Sequence, residues 1–473
     1  MEHLKKIGNI LPKKSVDIKK SRIGLGFEKL DRDAFNPEKS YPFVAETGVK
    51  WARLQSGWQK TERQKGVYDF AWLDSVVDNL LAVGVEPWLC LCYGNALYTP
   101  AAETVYGAVG CPPIHTEEER QAWANYVSAT ATHFKGRIHY YEVWNEPDGK
   151  WCWKHGPNAE ELADFNIATA KACKHADPTC EVIGLATCHG DDSFNEVLFQ
   201  KNGADYIDAV SYHSYVIEDI YIRQFFDVYD AYRKKYAPNL KIIQGESGTQ
   251  SRSDGMGALR GASWTPLKQA KYLLRHLVID LGAGVEFTSY FSCMDMAEAL
   301  NGVVGDLDSI SDFGYFGVVG AEFDENAKAT GNYFKKLSFY ALQTLTSIMC
   351  EDYTSVEIPV EAVLEHSDRM YGPNFDFGAS NHYFFRRPDN STAMIYWISR
   401  NILTETFEGE TSFYIPAEGL SDKITLIDLL DGSIYQLNDQ QVTLVDGKYY
   451  FRNVPITDSP LLIQFGDFYK ETF

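Results

Sequence analysis

The chain has 473 residues, more than one ordinary core holds, so two domains are expected. Hydrophobic residues at 45% against 23% charged exclude a disordered chain. A formal net charge of -21 argues against a nucleic-acid partner, and no run of about 18 apolar residues offers a membrane-spanning helix.

The start, "MEHLKKIGNILPKK", has no uninterrupted apolar core and is not read as a secretory signal. Nine cysteines follow no framework spacing. Reduced thiols in a cytoplasm are the expectation. Cys90 and Cys92 share one face of a strand and do not form a knuckle. Cys188-His189, and Cys111 with His115, lack a second half, so no metal is expected.

From residue 20 to 345, short apolar runs alternate with longer amphipathic ones. "RIGLGF" (22–27) reads as a first strand, and a short helix follows around 40–48. "WARLQ" (51–55) is the second strand, and residues 70–84 carry helical spacing that stops at Gly84. "VEPWLCLC" (85–92) is the third. The next helix has Thr116 as cap, Glu119 three residues on, and Gly136 at its end. "IHYYEVW" (138–144) is the fourth strand, followed by a helix capped by Asn158. "EVIGLAT" (181–187), "IDAVSYHSY" (207–215) and "LKIIQGES" (240–247) are the fifth to seventh, with helices at 194–203 and 220–236 between them. Thr265 caps a further helix, with Pro266 at its first position. "VEFTSYF" (285–291) is the eighth strand, and a last helix lies in 332–349.

Eight such units predict an α/β chain closed into a (β/α)8 TIM barrel, over residues 1–350 with an N-terminal arm. An open doubly wound sheet is the structural rival. It would carry a glycine-rich phosphate turn after the first strand, and "GLGFEK" matches that poorly. From about 352, short strands with turns such as Asp431-Gly432 and Asp446-Gly447 replace the helices. They predict a C-terminal antiparallel β-sandwich over 351–473.

A TIM barrel keeps its chemistry at the carboxyl ends of its strands. There the chain offers Arg53 and Gln55, Asn95 and Tyr98, Asn145 and Glu146, His213 and Tyr215, Glu246, and Tyr290. Glu28 is a weaker candidate. Glu146 and Glu246 lie across the barrel from each other, and two carboxylates facing one cleft suit glycosidic-bond cleavage. Each alone would read as a helix cap, and His213 alone as a core histidine.

"VWNEPD", "QGES", "HSY" and "WARLQ" together resemble the clan A glycoside hydrolases, over roughly residues 20–350. Residues 48–74 are similar to the second strand and helix of family 39 and its neighbours. The resemblance implies a retaining mechanism, with carboxyl groups roughly 5–5.5 Å apart. It makes Glu146 the acid/base and Glu246 the nucleophile. Asn145 would bond the sugar 2-hydroxyl, His213 and Tyr215 would orient the nucleophile, and Arg53 would stand beside it. Many clan members end the eighth strand on a sugar-stacking tryptophan, where this chain has Tyr290-Phe291. The platform is then sought among Trp58, Trp144, Trp151, Trp153 and Trp264, with Trp151 in "KWCWK" favoured. The expected enzyme is an exo-acting β-glycosidase, xylosidase- or glucosidase-like, working on a short oligosaccharide or glycoside. It would need no cofactor and no metal, and the sandwich would support the barrel or shape a homo-oligomer. A transglycosylase on the same residues, or a non-catalytic sugar-binding protein, are the rival readings.

Overall fold

The computed structural model describes residues 4–190, 192–362, 374–375, 380–404 and 406–470. Strand β1 (Lys5–Asn9) comes first, and β2 (Ile23–Gly26) opens the barrel. The other barrel strands are β3 (Trp51–Gln55), β4 (Glu86–Leu91), β5 (Tyr140–Val143), β6 (Glu181–Thr187), β7 (Ala209–His213), β8 (Lys241–Ser247) and β9 (Thr288–Tyr290). Every neighbouring pair is parallel, and β9 returns to β2, so the sheet closes as expected.

The main helices are α1 (Pro37–Thr47), α2 (Trp58–Thr61), α3 (Ala71–Ala82), α4 (Glu117–His133), α5 (Ala159–Ala176), α6 (Asp192–Gln200), α7 (Asp219–Tyr236), α8 (Pro266–Ala283) and α9 (Leu337–Ile348). Local chemistry sets their starts. Side chains of Asn36, Thr116, Asn158 and Thr265 each accept a backbone N–H of the first turn. Glu119 closes its box one residue early, on the N–H of His115. Between β9 and α9 lie two small hairpins that sequence periodicity did not show: Met296–Ala297 with Phe313–Gly314, and Val319–Phe323 with Ala329–Lys335.

The barrel interior is layered. Trp88, Tyr140, Ile183, Ala209, Ile243 and Phe287 pack with Trp51 as an apolar plug, with Trp51 stacked on Phe287 at 4.6 Å. Two residues further along β3 and β5 the inward side chains are Arg53 and Glu142, both fully buried. The core thus turns from aromatic to ionic toward the mouth. Pairing irregularities fall at that end, between Leu185 and Thr187 and again along β7–β8 and β8–β9. Such bulges re-aim strand-end side chains.

The C-terminal part is an antiparallel sheet domain. Its larger sheet runs Lys5–Asn9, Ser433–Gln436, Ile424–Asp428, Leu461–Phe465, Thr392–Ile398, Ser380–Arg386, Thr354–Val356. The arm expected to belong with the barrel is therefore an edge strand of this sheet, pairing Lys5 with Gln436. The second sheet is built on Glu408–Pro416 and Lys448–Thr457. Met394, Tyr396 and Ile463 of one sheet meet Phe413, Ile415 and Phe451 of the other in one apolar cluster. Asp446 and Gly447 both have positive φ, as the tight turn from Val445 to Lys448 requires. The first of the short strands expected after residue 352, "SVEIPVEAVL" (355–364), ends with two residues that lie outside the described ones.

Helix α8 carries much of the contact between the two parts, with Asp219 at the start of α7 accepting from Trp397, Asn381 and Ser399. A Cβ at Gly282 would stand 2.1 Å from the Tyr383 ring, so helix and sheet approach too closely for any side chain there. Lys271 Nζ donates to both oxygens of Asp458 at 2.8 Å, with both residues buried. Arg275 donates to the Asp458 and Arg400 carbonyls. Asp458→Ala is expected to cost about 3–5 kcal/mol, because it strands a buried ammonium. Urea unfolding measures it, and a loss below about 1 kcal/mol would show that Lys271 finds water instead. Among the described residues no helix is long and apolar enough to cross a membrane.

Candidate active site

The site is built around Arg53. Its inward position on β3 puts a guanidinium with no solvent contact among three carboxylates. Nε donates to Glu142 at 2.6 Å, Nη1 to Glu246 at 2.6 Å and to Glu28 at 3.5 Å, and Nη2 to the Asn145 side-chain oxygen at 2.9 Å. Burial works against the charge, but Glu142 leads the groups that outweigh it, and the Arg53 pKa stays well above its usual value.

Glu246 ends β8. Its second oxygen accepts from the Tyr215 hydroxyl at 2.6 Å. Both oxygens therefore face donors, which suits an ionised, acceptor-only carboxylate. Burial, then Glu246, push the Tyr215 phenol well above its ordinary range, so it remains a donor.

Glu146 follows β5 on a turn in which Trp144 and Glu146 both have positive φ, at 64° and 43°. Non-glycine residues pay about 1–3 kcal/mol each for this, and such strain gathers at functional sites. The Glu146 N–H is anchored on the Ala186 carbonyl. One oxygen accepts from Trp151 Nε1 at 2.5 Å, and the other meets His213 Nδ1 at 2.9 Å. His213 Nδ1 is 3.9 Å from Glu246. His213 was expected to act with Tyr215 on Glu246. Instead its hydrogen bond goes to Glu146. Burial lowers the His213 pKa, but Glu246 and the bond to Glu146 raise it further, and the net shift is upward. One oxygen of Glu146, one of Glu246 and a ring nitrogen of His213 lie within 4.8 Å of one another.

These groups open into a cavity of about 430 Å³. Its wall includes Asn145, Glu146, Trp151, Tyr215, Glu246 and Gln55 among the anticipated residues, and Lys29, Arg32, Arg260, Phe291 and Glu298 among those not singled out. A neighbouring recess of about 590 Å³ shares Arg32 and Tyr93 with it.

Three anticipated residues stand elsewhere. Asn95 donates to the Glu62 carbonyl, Tyr98 bonds the Glu62 carboxylate and stacks on Trp58, and neither lines the cavity. Both were read as strand-end ligands, but the loop after β4 turns them toward α2. Tyr290 is fully buried against Thr249, and the next residue, Phe291, reaches the wall. Of the five tryptophans considered, Trp151 alone lines this cavity. Trp144 and Trp153 pack on each other and on Phe165.

Glu142 is the residue sequence reasoning passed over, because it sits inside an apparently apolar strand. The signal was a carboxylate at the inward parity of a fully buried strand, which needs a cation inside the barrel. Glu28 is also buried. Burial first, then Glu246, raise its pKa from the carboxylate range to about 8, with Arg53 opposing. One guanidinium serves three carboxyls, and a proton on Glu28 relieves the excess. The unfolded chain gives this proton up in the ordinary carboxylate range, so the folded chain alone holds it above that. The stability it brings is complete at low pH and is lost as pH rises toward about 8. Glu28→Gln is expected to flatten the decline of Tm over that window and to melt above wild type at its alkaline end. Parallel Tm–pH curves for the two proteins would refute this.

The family model for glycosyl hydrolases family 39 matches residues 49–237. A β-xylosidase of Geobacillus stearothermophilus is 29% identical over 162 residues, which are 32% of this chain and 31% of that one. The matched part thus spans about a third of that curated relative. A family 39 glycoside hydrolase from Bacteroides cellulosilyticus superposes with a TM-score of 0.66 at 15% identity, covering 94% of this chain and 80% of that one. A family 39 β-xylosidase from Caulobacter crescentus gives 0.57 at 14% identity, with 98% of each chain covered. At these identities the structures show the fold, a TIM barrel with an antiparallel sheet domain. The resemblance read from the sequence is met by both kinds of comparison.

Proposed function

We propose that this chain, similar to family 39 over the stretch that holds Arg53, Asn145, Glu146, His213 and Tyr215, is a retaining glycosidase acting by double displacement. Glu246 attacks the anomeric carbon and forms a glycosyl ester. Glu146 protonates the leaving oxygen, then takes a proton from the water that opens the ester. The observation carrying this reading is the close approach of the two carboxylates, with an oxygen of each within 4.8 Å. An inverting enzyme keeps its carboxyls roughly 6.5–9.5 Å apart to admit a water, and a retaining one about 5–5.5 Å.

The different surroundings of the two support the division of labour. Glu246 is held by an arginine and a phenol, both donors. Glu146 is held by an indole and by an imidazole that can donate or accept. Trp151 and Phe291 offer apolar faces to a sugar. The cavity and its adjoining recess suit a short β-linked substrate, a β-xyloside or β-glucoside, cleaved from its end. All nine cysteines are free thiols, which supports a reducing compartment such as the cytoplasm.

The test is release of aryl alcohol from a panel of aryl α- and β-glycosides, with the first-formed anomer read by NMR. Retention on a β-glycoside is expected, and an inverted product would sink the mechanism. Glu146→Ala is expected to lose about 10²–10⁴-fold on alkyl or sugar leaving groups and far less on activated aryl ones. Equal losses on both would remove Glu146 from the acid role.

A further inference from the structure

The turn after β5 and the turn after β6 meet beside the cavity at Asp148, Cys188 and His189. Cys188-His189 looked in sequence like half of a metal site. The fold supplies the missing ligand from 40 positions earlier. Cys188 Sγ lies 3.5 Å from an Asp148 carboxylate oxygen and 3.6 Å from His189 Nδ1, and that nitrogen lies 3.1 Å from the other oxygen of Asp148. Tetrahedral zinc holds sulfur at about 2.3 Å, imidazole nitrogen at about 2.0–2.1 Å and carboxylate oxygen at about 2.0–2.2 Å. Those bond lengths space S and N about 3.6 Å apart, S and O about 3.6 Å, and N and O about 3.4 Å. The sulfur–nitrogen spacing agrees, and the sulfur and the nitrogen each approach a different oxygen of Asp148 at a comparable distance, while one ligand atom from each of the three residues lies within 4.8 Å of the others.

From this we infer that Asp148, Cys188 and His189 form a three-ligand site for a zinc-like divalent cation. Thiolate, imidazole and carboxylate together select zinc over calcium or magnesium, which prefer oxygen alone. The Asp148 carboxylate also accepts the N–H groups of Cys188 and His189, at 2.9 and 2.8 Å. Such outer hydrogen bonds fix the orientation of ligating carboxylates in metal sites. Cys188 and His189 line the cavity, so the fourth coordination position faces it, open to water or a sugar hydroxyl. On binding, the Cys188 thiol gives its proton to solvent and the S–metal bond replaces the S–H bond. Burial, with Glu146 and Asp148 close by, otherwise keeps that thiol protonated. The inference does not rest on the proposed glycosidase activity.

A second group, Glu146, His213 and Glu246, has comparable spacing but no sulfur, and its members are committed to Arg53, Tyr215 and Trp151. The experiment separates the two. Chelator-treated full-length protein is dialysed against zinc chloride, and separately titrated with cobalt chloride. One zinc per chain is expected, with a thiolate-to-cobalt charge-transfer absorption in the near ultraviolet. Both should vanish in Cys188→Ser. His189→Ala should weaken zinc binding by more than the ~10–100-fold that loss of an outer-shell partner costs. Cys188 is the one cysteine of the nine that is not buried, which allows a test without variants. In the native protein, zinc should slow its alkylation by iodoacetamide at least about tenfold, as peptide mass mapping reads. No retained zinc, zinc retained in Cys188→Ser, no cobalt–thiolate band, or alkylation indifferent to zinc would each overturn the site.

Discussion

Glu246→Gln is expected to abolish turnover of every substrate, lowering kcat by on the order of 10⁴–10⁶-fold, because loss of the proposed nucleophile removes the covalent route itself. The amide also fits its place badly. Arg53 Nη1 and the Tyr215 hydroxyl both donate to the carboxylate, so the amide NH₂ must confront one of them. Added azide separates this role from that of Glu146. In Glu246→Ala, azide should attack the sugar directly and give a glycosyl azide of inverted configuration. In Glu146→Ala it should open the ester and give a retained one. Retained azide from Glu246→Ala, or full turnover by Glu246→Gln, would strip Glu246 of its role.

Arg53→Met is the second large effect, and it is expected to show twice. Stability should fall by about 3–5 kcal/mol, since Glu142 would remain buried without its cation. Turnover should fall about 10²-fold or more, since Glu246 and Asn145 would lose the group that aims them. A double variant separates the two losses. Arg53→Met with Glu142→Leu removes the main ion pair as a unit, so stability should return in large part while activity does not. Recovery of both together would mean that Arg53 acts through folding alone. Denaturant unfolding and aryl glycoside turnover, run on the same preparations, decide it.

Much of this architecture was legible in one dimension. Eight apolar runs separated by capped amphipathic ones leave little besides a closed parallel barrel, and Thr116, Asn158 and Thr265 all cap as read. The facing pair of carboxylates was legible because strand ends are fixed by periodicity, and Glu146 and Glu246 fall on them. What failed was loop geometry. Asn95 and Tyr98 follow β4 by only a few residues, yet they turn to Glu62. Nothing in the local sequence says which way a loop faces. Glu142 was hidden by its neighbours, since "YYEVW" reads as apolar until Arg53 is known to stand opposite. The Asp148–Cys188–His189 meeting is invisible for a related reason. It depends on two separate strand ends being adjacent in the barrel, which only closure brings about.

The edge strand Lys5–Asn9 gives the chain an unusual order of events. Its partner, Ser433–Gln436, is made 424 residues later, counted from Asn9 to Ser433, so at about 5–20 residues per second it waits for tens of seconds. The barrel can close meanwhile, because its contacts lie between the two ends. The sheet cannot be finished until residues 433–436 are made, and the loop that this pairing closes is 424 residues long. A cut near residue 350 therefore does not yield two self-sufficient pieces. One half would carry an unpaired strand, and the other a sheet with an open edge, which invites strands from other molecules.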